Sequence, residues 1–307
     1  MSRKRLFIID GHALAYRTYF ALTGATSWRG RQSVTRASTN VSQWVTQAGE
    51  PTAGTYGFTA VLFRLLEQEQ PDYLAVSFDV GKTFRDDFFP DYKGTREKMP
   101  DDLRVQIERI REIVQAMGIP IYEMENYEAD DVIGTITRLA PEQGVDVVVV
   151  TGDRDLLQLA TEQVTISLSG HKLSEAIPYG PAEVEKRYGV RPDQFVDYKA
   201  LVGDKSDNIP GVAGVGEKTA ASLLQQYGTL DGIYEHLDEV ATRFRNKLAA
   251  GKEAAYLSQR LAAIVTDLDM DFDLEACIAP RPRAPARTPS RSWRRSPRPS
   301  IIRLPEP

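Results

Sequence analysis

Val145-Asp146-Val147-Val148-Val149-Val150-Thr151-Gly152-Asp153-Arg154-Asp155 is a valine-rich run that ends in a turn and two carboxylates. A run this short and this rich in β-branched residues reads as a strand buried on both faces, as in a parallel sheet. The same pattern recurs elsewhere. Leu6-Phe7-Ile8-Ile9 leads to Asp10, Tyr73 through Phe78 leads to Asp79, and Ile119-Pro120-Ile121-Tyr122 leads to Tyr127-Glu128-Ala129-Asp130-Asp131. Between these runs the apolar period changes to that of helices. Leu103, Ile107, Ile110, Val114 and Met117 recur at spacings of four and three, with Gly118 and Pro120 as a stop, and Thr55 to Gln68 carries Phe58, Val61, Leu62, Leu65 and Leu66 on one face. Strands alternating with helices predict an α/β fold with a mostly parallel sheet and crossover helices. Ligands in such folds collect at the carboxyl ends of the strands, where these acids stand.

Pro141 is expected to end the helix that begins near Asp130. After about residue 180 the strand signals stop. Helices are expected over Pro181 to Tyr188, Asp193 to Val202, Glu217 to Tyr227 and near Glu253 to Val265, the first three stopping at a glycine. The expected organisation is an α/β core over 1–180, a helical lobe over 181–278 and a disordered tail over 279–307. That tail holds eight of the 18 prolines, eight arginines and one acid, so the net charge of −5 divides into a body near −12 and a tail near +7. An acidic body is compatible with a nucleic-acid partner when carboxylates are consumed by metal and the binding footprint is local.

The 42% hydrophobic and 26% charged content is that of an ordinary globular protein. A single cysteine, Cys277, excludes an intramolecular disulfide and a cysteine-based zinc site, which fits a reducing cytoplasm. The apolar run behind the basic start covers only Leu6 to Ile9, too short for a signal peptide or a membrane span.

Nine carboxylates fall in five clusters: Asp10; Asp79; Glu128, Asp130 and Asp131; Asp153 and Asp155; Asp204 and Asp207. Brought together, that much like charge requires cations or raised pKa values. Mg²⁺ is the simplest resolution because it takes hard oxygen ligands and keeps several waters, and two such ions suit in-line displacement at phosphorus. Each cluster alone also has a plainer reading. Asp10 and Asp79 serve equally as turn residues, and acids at a helix start favour the macrodipole and supply caps. Asp153 caps a helix from Arg154 to Ala160. Glu128 and Asp131, three apart, can share a face, while Asp130 points elsewhere.

Gly211-Val212-Ala213-Gly214-Val215-Gly216, followed by Glu217-Lys218-Thr219-Ala220, is a glycine hairpin feeding a helix start. Such a loop lets backbone N–H groups approach a phosphate, with Lys218 in support. Phe84 to Met99 interleaves Arg85, Lys93, Arg96 and Lys98 with Phe84, Phe88, Phe89 and Tyr92, a composition suited to single-stranded nucleic acid or, more plainly, to a solvated loop with one buried aromatic side. His12, His171 and His236 show no metal-ligand spacing.

With Ile9-Asp10-Gly11-His12-Ala13-Leu14-Ala15-Tyr16-Arg17, Phe84-Arg85, Tyr92-Lys93, Glu128-Ala129-Asp130-Asp131, Thr151 to Asp155, and Gly203-Asp204 through Ala220, the chain resembles the 5′-nuclease domain of bacterial DNA polymerase I, in the flap endonuclease family. The likeness spans about Leu6 to Leu268. It implies a PIN-like α/β core, a helical arch near 84–99 and a C-terminal helix-hairpin-helix lobe. It also implies that all nine carboxylates ligate, directly or through water, two or more Mg²⁺ ions, for which Mn²⁺ can substitute. Lys93, Arg96 and Arg85 would contact the scissile phosphate, and Tyr16 and Arg17 would lie near the reacting nucleotide. Gly211, Gly214, Gly216 and Lys218 would hold duplex DNA, with K⁺ at the hairpin. The implied substrates are DNA 5′ ends, flaps and nicks, processed in replication and repair, and the implied partner is a polymerase portion that is separate or missing here. Thr23 to Thr52, with two tryptophans, is longer than the family's usual connection, and the Arg/Pro-rich tail departs from its linker. Two other readings are a non-catalytic DNA-junction binder, which missing ligands would favour, and a PIN-like ribonuclease, which absence of the arch and hairpin would favour. The sequence carries all the ligands and both segments.

Overall fold

The computed structural model describes residues 3–24, 44–169 and 176–281. Most of the Thr23 to Thr52 connection, His171 and the tail beyond residue 281 lie outside them. A six-stranded sheet, in the order β3-β2-β1-β4-β5-β6, is built from β1 (Arg5–Asp10), β2 (Tyr73–Ser77), β3 (Ile121–Tyr122), β4 (Asp146–Thr151), β5 (Val164–Ser169) and β6 (Ala176–Tyr179). All pairings are parallel except β5 with β6. Because β1 lies between β2 and β4, the chain winds one way through β3 and returns on the other side of β1. The crevice at that reversal lies beyond the ends of β1 and β4, so Asp10 and the Thr151–Asp155 turn face the same space.

Alternation along β1 explains why its apolar run is unbroken. Leu6 and Ile8 enter one core and Phe7 and Ile9 the other. One face of the sheet is covered by α1 (Gly11–Thr23), α2 (Ala53–Gln68) and α4 (Asp101–Ala116), the other by α5 (Ala129–Glu142) and the following helices. That second core is continuous from Leu6 and Val149 to Val184, Phe195, Leu224 and Leu248, so sheet and helical lobe share one interior.

α5 runs one residue past Pro141, contrary to expectation. In the last turn the missing N–H costs a single bond, and Gln143 already accepts its role as cap. The expected helix over Arg154 to Ala160 is a 3₁₀ turn over Asp155–Leu159, and α7 is confined to Phe195–Val202 behind a 3₁₀ turn at Pro192–Gln194. The lobe continues through α6 (Pro181–Tyr188), α8 (Glu217–Tyr227), α9 (Leu230–Glu235), α10 (Thr242–Ala250) and α11 (Lys252–Ala262), of which α9 and α10 were not expected and α11 stops short of Val265. The segment expected as a helical arch holds one short helix, α3 (Phe84–Phe88), and then turns down to Arg96. Among the described residues no helix is long and apolar enough to cross a membrane.

Candidate metal centre and nucleic-acid interface

Asp10 is the last residue of β1 and the N-cap of α1, accepting from the Ala13 N–H at 3.0 Å and the Thr151 hydroxyl at 2.8 Å. Gly11 follows because nothing larger fits, since a Cβ there would lie 2.4 Å from the Phe78 ring. Burial pushes the Asp10 carboxyl up to about 7, with the charges of Asp79 and Asp153 adding to it. Asp79, just past β2, accepts from the Ala129 N–H at 2.8 Å. His12 Nδ1 accepts from the Asp79 N–H at 3.2 Å, and burial lowers the pKa of that ring. Across the crevice Asp153 accepts from the Asp155 N–H at 2.9 Å.

At the start of α5 three acids take three different positions. Glu128 and Asp131 form a capping box. Asp130 lies between them in sequence but faces the crevice; no hydrogen bond or ion pair reaches its carboxylate among the described residues. Burial and then Asp153, Asp10 and Glu128 raise its pKa well above the ordinary value. Asp131 is fully buried, accepts from the Val265 N–H at 2.9 Å, and is gripped by both terminal nitrogens of Arg85 at 2.7 and 2.8 Å. Arg85 also donates to the carbonyl oxygens of Leu261 at 3.1 Å and Ala263 at 2.6 Å, and is 1% exposed. This arrangement revises two expectations. Arg85 cannot reach a phosphate while its guanidinium is spent on Asp131 and two carbonyls, and Asp131 has no free lone pair turned to the crevice.

The other arch cations stand at the rim. Lys93 Nζ is 2.5 Å from Glu128, whose carboxylate also receives the Tyr92 hydroxyl at 3.2 Å. Arg96 donates to Asp207 at 2.5 and 3.2 Å. The arch is docked on the Asp204–Asp207 loop by backbone as well: the Lys93 N–H donates to the Asp207 carbonyl at 2.9 Å and Asn208 donates to that of Asp91 at 2.8 Å. Below it, Lys199 on α7 bridges Asp155, at 2.7 Å, and Asp204. Burial again raises Asp155 to about 7, whereas Lys199 and Ser206 hold Asp204 down to about 2 against the opposing effect of burial. Lys199 and Thr151 went unread in the sequence. The one signal for Lys199 was a lysine five residues before Asp204 in the last turn of a short helix that is mostly apolar.

Eight of the nine expected acids therefore line one crevice or its rim. Among the described residues no three of them are spaced to close on a single ion, and Lys93, Arg96 and Lys199 supply counter-charge to Glu128, Asp207, Asp155 and Asp204. The donor set still fits Mg²⁺, which binds through one or two carboxylates and fills its octahedron with water. Asp10, Asp130 and Asp155, whose carboxyls burial and neighbouring charges push above the ordinary range, are the positions a divalent cation would relieve most.

Beside this centre Gly203 and Gly211 cross at φ of +75° and +62°, where a Cβ on Gly211 would lie 2.4 Å from the Gly203 nitrogen, so only glycine allows the loop to pinch. The hairpin through Gly214 and Gly216 then delivers the exposed Lys218 to the first turn of α8. Tyr16 stacks on Phe20 with ring centres 6.2 Å apart, and the Arg17 Nε is buried without a hydrogen-bond partner.

Residues 5–189 match the 5′-3′ exonuclease N-terminal resolvase-like domain, and residues 190–285 match the 5′-3′ exonuclease C-terminal SAM fold. The chain belongs to the 5′-3′ exonuclease family. It is 46% identical over 280 residues to DNA polymerase I of Chloroflexus aurantiacus, covering 90% of this chain and 28% of that one. It is 42% identical over 275 residues to DNA polymerase I of Bacillus caldotenax, covering 89% and 29%. The chain thus spans under a third of the length of these relatives. Among solved structures, the fold is shared with T5 5′-exonuclease bound to divalent metal ions (zinc), with a TM-score of 0.68 at 21% identity over 86% of this chain and 90% of that one. It is shared too with the catalytic core of Rad2 in complex with DNA substrate, with a TM-score of 0.55 at 15% identity over 91% and 84%.

Proposed function

We infer that this chain is a structure-specific 5′ nuclease, hydrolysing DNA phosphodiesters at 5′ ends or at the base of 5′ flaps with Mg²⁺, for which Mn²⁺ can substitute. The observation that carries this reading is the crevice at the β1/β4 reversal, where acids from separate elements converge under a cation-bearing arch and beside a glycine hairpin. Asp10, Asp79, Glu128, Asp130, Asp153, Asp155, Asp204 and Asp207 are the residues that would hold the ions. What a divalent pair supplies when bound is Lewis acidity at the phosphoryl oxygens and a more acidic water.

The chain's own residues do the rest. The Ala13 N–H and Thr151 hydroxyl fix Asp10, the Ala129 N–H fixes Asp79, and Lys199 keeps Asp155 and Asp204 together. With Glu128 and Asp207 engaged by bound cations, Lys93 and Arg96 would exchange these carboxylates for the phosphate and offset the charge that develops on it. Tyr16 and the unpartnered Arg17 Nε support the same approach of a nucleotide over α1, and Gly211, Gly214, Gly216 and Lys218 grip the duplex behind.

The test is a 5′-labelled flap DNA incubated with Mg²⁺ and with EDTA, and a matched flap made double-stranded. The free flap is cut near its base with Mg²⁺ only, with little base preference, and the duplexed flap is cut poorly. Equal single-turnover rates on the two flaps would remove the structure-specific reading, and cleavage in EDTA would remove the metal centre.

A further inference from the structure

Residues 242–252 contain Arg243, Arg245, Lys247 and Lys252 and no acid, within a body whose net charge is near −12. They form α10, its C-cap Gly251 and the first residue of α11. Arg245 is turned inward onto the carbonyl oxygens of Asp238 and Val240 and closes that loop. Arg243, Asn246, Lys247 and Ala250 are exposed and follow one another at spacings of three, one and three, a single helical face. The Arg243 guanidinium rests 4.5 Å from the centre of the Phe244 ring, and no carboxylate pairs with it among the described residues.

That face abuts the glycine hairpin directly. Lys247 Nζ donates to the Gly214 carbonyl at 3.0 Å. A Cβ on Gly214 would lie 2.8 Å from the same ammonium, and a Cβ on Gly251 would lie 2.9 Å from Val212 Cγ1. Glycine on both sides lets helix and hairpin touch as one surface. Where they meet is an open concavity of about 330 Å³, lined by Ala213, Asn246, Lys247, Ala250 and Gly251. Its floor is small, its rim carries an ammonium and an amide, and no carboxylate lines it. On the hairpin side the N–H groups of Gly214 and Gly216 donate to nothing among the described residues. Free N–H donors, a fixed cation and a floor without bulk are what a phosphodiester backbone requires for close approach.

We propose that α10 is a second grip on duplex DNA, continuous with the hairpin, in which Lys247 and the hairpin share one stretch of phosphate backbone and Arg243 takes a neighbouring phosphate one turn away. The proposal rests on the nuclease reading and extends it: the enzyme measures the duplex behind the junction over two elements instead of one. Lys247 then has two tasks, since its carbonyl bond orients the hairpin while its remaining N–H groups face the DNA.

The test uses the full chain in EDTA and a short labelled duplex without a flap, with binding followed by fluorescence anisotropy across a KCl series. Arg243→Ala and Lys247→Ala are each expected to weaken binding and to flatten the slope of log K against log salt by about 1. Lys247→Arg restores the slope, which separates charge from hairpin support, and Arg243→Ala gives a reading independent of any hairpin contact. Lys218→Ala serves as the hairpin reference. Loss of affinity in Lys218→Ala, with wild-type slopes for Arg243→Ala and Lys247→Ala, overturns the second grip alone. Wild-type affinity in all three overturns the hairpin as a DNA site and, with it, the duplex-holding part of the nuclease reading.

Discussion

Arg85 and Lys93 leave the same arch eight residues apart, and both pair with acids at the start of α5, yet the two pairs are different in kind. Arg85 is sealed: its guanidinium makes two bonds to Asp131 and two to carbonyl oxygens, and Asp131 in turn accepts two backbone N–H groups. Lys93 makes one ion pair to Glu128 and keeps a quarter of its side chain in solvent, as Arg96 keeps a third beside Asp207. A sealed pair is structure, because removing one partner strands a buried charge. A pair at the rim is exchangeable, because solvent, a metal ion or a phosphate can replace either partner. Ion pairing alone does not separate scaffold from machinery; the count of satisfied donors does.

The comparison can be broken in four ways. The largest effect is expected from Asp153→Ala combined with Asp155→Ala, which should reduce flap cleavage to background while duplex binding persists, because crevice acids are lost and the hairpin is not. Retained cleavage with unchanged metal dependence would take this turn out of the metal centre. Next, Arg85→Ala or Asp131→Ala should cost about 3–5 kcal/mol of folding stability, the usual result of orphaning one member of a buried pair. Urea denaturation reads this directly, and a wild-type midpoint would mean that the pair is not sealed after all. Third, Lys93→Ala should slow the single-turnover chemical step by about 10²- to 10³-fold, the scale for one preorganised charge, with a folding midpoint close to wild type. If only affinity changes, Lys93 positions the substrate and does no more.

The smallest effect concerns pH. Burial raises Asp10 and Asp155 to about 7 in the folded chain, against an ordinary carboxylate value near 4. Such groups favour folding in their protonated form, so they cost nothing below pH ~4 and progressively more as pH rises through about 7. The thermal midpoint of the metal-free protein should therefore fall across that window, and saturating Mg²⁺ should flatten the fall. A metal-free midpoint that rises between pH 4 and 7 would mean that Lys93, Arg96 and Lys199 already neutralise the crevice.

Much of this was legible in the chain because β-branched runs ending in acids carry both the strand and the site. Asp10, Asp79 and the Thr151–Asp155 turn are placed at strand ends by sequence alone, since the end of a parallel strand is fixed by its own residues. The opposed spacing of Asp130 and Asp131 was legible too. Which of them faced the crevice was not, because the partners that decide it, Arg85 and the 261–265 segment, are 46 and more than 130 residues distant. Lys199 was hidden for the same reason. The resemblance implies that the arch cations contact the phosphate, and neither it nor composition can see that Arg85 donates to Leu261 and Ala263. Helix α10 was missed because its short run of cations offers too few apolar positions to show a period.

The clasp between Arg85 and residues 261–265 also bears on the order in which the protein is made. Arg85 and Asp131 leave the ribosome long before Leu261, Ala263 and Val265, and Gln158, Thr135 and Arg138 likewise wait for partners at Ala262, Ile264, Leu268 and Thr266. Until those last residues arrive, the base of the arch has no clamp and the first turn of α5 lacks part of its bonding. A nascent chain therefore holds its acids without the means to hold them still, and assembly of the crevice is tied to completion of the helical lobe.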